Sequence, residues 1–267
     1  MDIANYGFIG CGNMGGSLAR AVCKTVGETQ VLLADKATVK AELLAEELKC
    51  STADIKEVAN NCKYIFLGVK PQVMKLALDE ISDILRNRND RYILISMAAG
   101  VTISKLKEML GFDCPIIRIM PNTPVSAGKG MILYTPDNNV FMDEIGEFNA
   151  ALRFAGKLDK LEENLIDSAT AVSGCGPAFV YLFAEAMADA GVECGLARHK
   201  ALEYAIQTLS GAAELMQSTG KHPAVLKDEV CSPGGSTIEG VHALEDNGFR
   251  GTVMSAVKAS FEKTKKL

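Results

Sequence analysis

Gly10-Cys11-Gly12-Asn13-Met14-Gly15 carries the spacing G-x-G-x-x-G directly after a short apolar run, Tyr6 to Ile9. Each glycine has its own task. Gly10 permits a tight turn, Gly12 lets the backbone approach a pyrophosphate, and Gly15 lets a helix pack close on a strand. The helix expected next, Ser17 to Val26, favours negative charge at its N-terminus. Asp35 ends a second apolar run, 20 residues past Gly15, where a carboxylate accepts the hydroxyls of an adenosine ribose. The chemistry this spacing serves is binding of a nicotinamide dinucleotide, with Cys11, Asn13, Met14 and Lys36 as neighbours of the same site. A carboxylate at Asp35 repels a 2′-phosphate and leans toward NADH, whereas Lys36 and Lys40 soften that repulsion. The cofactor is therefore NADH or NADPH.

Two more strand ends belong to this crevice, because ligands of open α/β sheets lie beyond the carboxyl ends of the strands. One is Val69-Lys70-Pro71-Gln72; the other is Met97-Ala98-Ala99, whose small residues leave room for a flat ring. Taken singly, Pro71 reads as a helix-initiating proline and Gly100 as a loop glycine. Their weight comes from converging on one place.

A second constellation, Ser232-Pro233-Gly234-Gly235-Ser236-Thr237, leads into a helix with Ile238, Val241 and Leu244 on one side. Backbone N–H groups of Gly234 to Thr237 at a helix N-terminus would cradle a small carboxylate. The alternative is ordinary capping by Ser236 or Thr237, with the glycines only turning the chain. Glu162 and Glu163 read most simply as first-turn acids of a helix. His199, His222 and His242 lack metal-ligand spacing, and no metal is expected.

These residues need a framework. The chain to about residue 160 alternates short apolar strands, at 6–9, 31–34, 64–69, 92–96, 116–119 and 131–134, with helix-period stretches, the pattern of βαβ units around a parallel sheet. Around Gly156 to Asn164 the strand-like runs stop, and everything downstream fits helices. The expected division is a dinucleotide-binding domain over 1–160 and a helical substrate and dimerisation domain over 161–267, giving an α/β fold with an N-terminal Rossmann-type, mostly parallel sheet followed by an all-α part. Ala178 to Phe183 is apolar on every side and needs enclosure by other protein. A helical bundle is one account; intertwining with a second subunit fits the small size of the domain better.

The net charge of -5 and pI near 5.4 argue against a nucleic-acid partner. Eight cysteines without a C-x-x-C pair read as free thiols in a reducing compartment. Met1-Asp2-Ile3-Ala4 opens without a positive charge and no run reaches 18 uninterrupted apolar residues, so a cytoplasmic protein that does not span a membrane is expected.

In order and spacing, the fingerprint, Val69-Lys70-Pro71, Ala98-Ala99-Gly100-Val101-Thr102-Ile103, Met120-Pro-Asn-Thr-Pro124, Ser173-Gly-Cys-Gly-Pro-Ala178 and Ser232 to Thr237 resemble the pyrroline-5-carboxylate reductases, over essentially the whole chain. The resemblance implies hydride transfer from NADPH or NADH to the C=N bond of 1-pyrroline-5-carboxylate, giving L-proline in the last step of proline biosynthesis. It implies a homodimer that assembles into a larger homo-oligomer. It also implies that Glu163, Gly234, Gly235, Ser236 and Thr237 bind substrate, with the Thr237 hydroxyl as the catalytic group at the ring nitrogen. Two positions depart from the family pattern: Glu229, where relatives carry Asn, and Asp35, where many carry a small or polar residue and NADPH is common. A 3-hydroxyacid dehydrogenase is the rival enzyme, with Lys200 as its proton donor. A dinucleotide sensor without turnover is the rival outside enzymes.

Overall fold

The computed structural model describes residues 5–266; Met1 to Ala4, and with them the reading of the N-terminal opening, lie outside the described residues. The first half alternates as expected: β1 (Tyr6–Ile9), α1 (Asn13–Val26), β2 (Val31–Ala34), α2 (Thr38–Leu48), β3 (Ser51–Thr52), α3 (Ile55–Asn61), β4 (Tyr64–Leu67), α4 (Pro71–Asn87), β5 (Ile93–Ser96), α5 (Ile103–Leu110) and β6 (Ile116–Pro121). Then come β7 (Gly130–Pro136), α6 (Met142–Ala151), β8 (Gly156–Lys160) and α7 (Ile166–Ser173). The remainder is helical: α8 (Gly176–Glu193), α9 (Arg198–Thr219), α10 (Pro223–Val230), α11 (Ser236–Asp246) and α12 (Phe249–Thr264).

Among the described residues one sheet of eight strands runs β3-β2-β1-β4-β5-β6-β7-β8, parallel except where β7 returns against β6. That reversal follows from the short connection between them, because a parallel partner would need a longer crossover. The inner strands are apolar on both faces and are buried on both. Phe8 stacks on Phe66 at 4.4 Å and Tyr6 on Tyr64 at 5.1 Å, each pair opposite in register across β1 and β4. One core layer lies under α1 and α6, the other under α3, α4 and α5. Full burial of each such side chain contributes about 1.5–3 kcal/mol.

Three elements correct the sequence reading. Gly156–Lys160 is a strand, although strand-like runs were expected to stop there; as the sheet's edge it has exposed polar positions and no continuous apolar run. Helix α1 begins at Asn13 rather than Ser17, since close packing against β1 overrides the weak helix propensity of Gly15 and Gly16. The strand expected to end at Val69 stops at Leu67.

The chain forms two compact units, one running through Gly174 and including Phe261 onward, the other Cys175–Ser260. Helix α7 belongs to the sheet unit, with Ile166, Thr170 and Ala171 buried. In the second unit α8 and α9 meet through Ala188, Ala201 and Ala205. Val180, Tyr181 and Leu182 on α8 are 50%, 62% and 65% exposed, so the enclosure expected of this helix is not supplied within one chain. The run Glu163–Glu193 is also long and apolar enough, by length and composition, to cross a membrane, although no stretch of it is uninterruptedly apolar over 18 residues.

Candidate active site

The fingerprint residues sit at the carboxyl edge of β1. Gly10 adopts φ +103°, and a Cβ there would fall 2.7 Å from the Gly68 carbonyl. Gly68 in turn would place a Cβ 2.6 Å from the Gly10 oxygen, and one on Gly15 would collide with the same oxygen. Three glycines therefore let β1, α1 and the end of β4 share a space that admits no side chain. In the sequence the only signal at Gly68 is a glycine closing an apolar strand. Gly68→Ala is expected to weaken dinucleotide binding by about tenfold and to lower stability by about 1–3 kcal/mol, because backbone must shift to admit the methyl. Unchanged binding and melting would disprove the packing account.

Gly12 is different: a Cβ on it would meet nothing within 4 Å. It is the N-cap of α1, no side chain caps that end, and no acid occupies the first turn. Orphan N–H groups thus face open space, as a pyrophosphate requires.

Asp35 follows β2 and is fixed rather than free. One carboxylate oxygen accepts the Cys11 N–H at 2.7 Å, the other the Ala37 N–H at 2.8 Å. The Gly10 N–H donates to the Ala34 carbonyl at 2.7 Å, so the end of β2 is tied to the fingerprint turn at two points. Cys11 lies in the fingerprint, but burial, with Asp35 adding to it, pushes its thiol up to about 12, so it stays a thiol and serves packing. Lys36 and Lys40 are exposed.

Pro71 is the first residue of α4, with Lys70 as N-cap, so its helix-initiating role is real. Gln72 is exposed at the same end, and Val69 lies between Gly68 and the helix. Beyond β5, the Ser96 hydroxyl accepts the Ala98 N–H at 3.4 Å, and Val101 N–H donates to the Ala98 carbonyl at 3.4 Å. Gly100 takes φ +72° in that turn. Because β2, β1, β4 and β5 are mutually parallel, the segments 10–15, 35–36, 69–72 and 97–99 share one edge of the sheet. The strand order reverses direction between β1 and β4, the position where open α/β sheets bind ligands. A surface cavity of 670 Å³ lined by Asn60, Asp83, Asn87, Arg88 and Asp90 lies at the other end of α4 and carries none of these residues.

In the helical unit, Gly235 is the N-cap of α11, with φ −83° and ψ 167° and no side-chain cap. Ser236 and Thr237 occupy the first two helical positions, so neither is the capping residue. Gly234 has φ +66°, the Gly235 N–H donates to the Ser232 carbonyl at 3.0 Å, and a Cβ on Gly235 would collide with the Ser232 hydroxyl. Gly234 needs glycine for its left-handed φ, whereas a Cβ on Gly235 would displace only the rotatable Ser232 hydroxyl. Ser236 and Thr237 are exposed.

Glu163 belongs to the sheet unit, where its carboxylate accepts the Ile103 N–H at 2.8 Å and pairs with Arg118 at 3.2 Å. Glu229 pairs with Lys221 at 2.5 Å, and Lys200 with Glu203 at 2.9 Å, both on the surface. Lys200 is thus held as an i,i+3 surface pair rather than as a buried proton donor. Among the described residues no group of three or more His, Cys, Asp or Glu could hold a metal ion.

A parallel sheet with a glycine-lined helix N-terminus, a fixed acid after the second strand and a helical second part defines a nicotinamide-dinucleotide-dependent oxidoreductase. Residues 5–100 match the family model described as NADP oxidoreductase, coenzyme F420-dependent, and residues 163–267 match that for pyrroline-5-carboxylate reductase dimerisation. The chain belongs to the pyrroline-5-carboxylate reductase family. It is 39% identical to the Escherichia coli pyrroline-5-carboxylate reductase, over 98% of this chain and 97% of that one. The enzyme of that name from Aquifex aeolicus is 37% identical, over 98% and 96%. The crystal structure of Plasmodium falciparum pyrroline carboxylate reductase with NADP bound superposes with a TM-score of 0.86 at 34% identity, covering 100% of this chain and 98% of that one.

Proposed function

We propose that the protein reduces 1-pyrroline-5-carboxylate to L-proline with NADH or NADPH, as the last step of proline biosynthesis. The observation that carries this reading is the uncapped N-terminus of α11, where Gly235 precedes Ser236 and Thr237. A carboxylate is what such an end accepts, and the substrate carries one beside its C=N bond. Bound in the crevice, the dihydronicotinamide supplies the hydride. The protein's own residues position: Gly10 to Gly15 hold the pyrophosphate, Asp35 with Lys36 meets the adenosine end, and Val69 to Gln72 with Met97 to Ala99 line the crevice. On the substrate side the N–H groups of Gly234 to Thr237 orient the carboxylate, and the Thr237 hydroxyl hydrogen-bonds the ring nitrogen. A protonated imine is already electrophilic, so positioning carries most of the catalysis and no histidine acid is needed. The test is loss of dihydronicotinamide absorbance, with proline as product, when the protein meets pyrroline-5-carboxylate; no turnover with either dinucleotide refutes the reading.

Assembly is part of the same proposal. A second copy covers the apolar face of α8 and α9, where Tyr181, Leu182, Leu202, Tyr204 and Ile206 are exposed, and dimers build a larger homo-oligomer. This assigns the apolar run Glu163–Glu193 to a subunit interface and not to a bilayer, consistent with a cytoplasmic enzyme whose eight cysteines are all free. Leu182→Asp is expected to shift the protein to monomer in sedimentation, and an unchanged mass would disprove the interface.

A further inference from the structure

We infer that Glu163 is a positioning residue that fixes one wall of the dinucleotide crevice, the turn between β5 and α5, and is not a substrate ligand. Its consequence for catalysis rests on the function proposed above; its mechanism rests on the sheet unit alone.

Glu163 Oε1 accepts the N–H of Ile103, the first residue of α5, at 2.8 Å. Thr102, the N-cap, accepts the Lys105 N–H at 3.2 Å. Two orphan donors at one helix end are therefore satisfied, one locally and one from a residue sixty positions on. The same oxygen pairs with Arg118, whose side chain on β6 is only 4% exposed and which also faces Asp167 at 3.4 Å. A guanidinium so buried needs its counter-charges, because an unpaired one costs several kcal/mol. Arg118 thus holds Glu163, and Glu163 holds α5.

What α5 terminates is the turn 97–102. Its near end is tied to the sheet by the Met97 N–H on the Leu67 carbonyl at 3.5 Å and by the Ser96 hydroxyl. Ala98 and Val101 are buried, while Met97 and Ala99 remain partly exposed on the crevice side. The far end depends on Thr102 and Glu163. With the adenosine end over β2 at Asp35 and the switch point between β1 and β4, the nicotinamide end falls toward β4 and β5, where this turn stands. Glu163 therefore acts on the ring end of the cofactor and leaves the adenosine end alone.

The test uses the full chain and two probes, NADH and adenosine diphosphate, with binding read in the absence of substrate. NADH is followed by its own fluorescence, which no indole obscures because the protein has no tryptophan. In Glu163→Ala, NADH affinity is expected to fall about tenfold while adenosine diphosphate binds as before. Glu163→Gln keeps an acceptor for Ile103 and is expected to recover most of the loss. Should the alanine variant not fold, Glu163→Asp retains the charge for Arg118 but withdraws the oxygen by one methylene, and is expected to show the same split. Unchanged NADH binding with a raised KM for the imine would make Glu163 a substrate ligand and overturn the inference. Equal losses for both probes would overturn it as well, by reducing Glu163 to general stability. Variants that split the two probes, beside a wild-type protein that reduces no imine, would refute the proposed reaction and leave the positioning role standing.

Discussion

Thr237→Ala is expected to lower kcat for imine reduction roughly 10²-fold while the dinucleotide binds with unchanged affinity. The size follows from what the hydroxyl does not do. Gly235, and not Thr237, is the N-cap of α11, so the hydroxyl is free of a capping duty and its removal leaves the helix end intact. Alanine is at least as good a helix former as threonine, so the variant should melt no lower than the parent. The backbone N–H groups proposed to orient the substrate carboxylate are also still present. Ground-state binding therefore survives, KM moves little, and the loss appears in kcat, where one hydrogen bond to the reacting ring nitrogen is missing. Thr237→Ser keeps a hydroxyl and should recover most of the rate. Steady-state kinetics decide: an unchanged kcat removes Thr237 from the mechanism, and a rise in KM alone makes it a binding residue only.

How legible this was in the sequence depends on whether the signal was local. Gly10 to Gly15 could be read because the turn and the helix start are set within a few positions, and Asp35 because one βαβ unit fixes its distance from them; the structure brings them to one edge as the strand pattern required. Helix α3 carried a local signal that went unread, the capping box of Asp54 with Glu57. Gly68 could not be read locally, since its need for glycine comes from Gly10, which lies opposite it only after β1 and β4 pair. The edge strand β8 lacks an apolar run because an edge buries little, so periodicity had nothing to report. Glu163 shows the same limit in the site: a first-turn acid by position, it serves a different helix, and only the pairing of β5 with β6 brings Arg118 and Ile103 to it. For Ser236 and Thr237 the sequence left capping and binding open; the cap of α11 falls on Gly235, which removes capping and leaves binding as the proposal.

Asp35→Ser is expected to shift the ratio of kcat/KM for NADH over that for NADPH toward NADPH by roughly 10²-fold. A carboxylate on a mobile side chain could swing away from a 2′-phosphate at the cost of a rotamer, but Asp35 is held by the Cys11 and Ala37 N–H groups at 2.7 and 2.8 Å. To move, it would have to abandon two backbone donors in the fingerprint turn. The charge therefore stays where it is, and a dianionic phosphate placed about 5 Å away meets a repulsion of about 7 kcal/mol at an effective dielectric near 20, which salt and solvent screen down to a few. Lys36 and Lys40 are exposed and screened, so they offset part of this and no more. Serine removes the charge, which is why the gain should fall on NADPH, while the loss of the ribose acceptor takes something from NADH. The Cys11 N–H also loses its acceptor, so both dinucleotides should bind somewhat more weakly, and only the ratio isolates the electrostatic part. Raising the ionic strength should narrow the parent's discrimination and leave the variant's almost unchanged, since salt screens only a repulsion that exists. A ratio unmoved by the substitution would mean that Asp35 serves the turn alone and that the choice of dinucleotide lies with the lysines beside it.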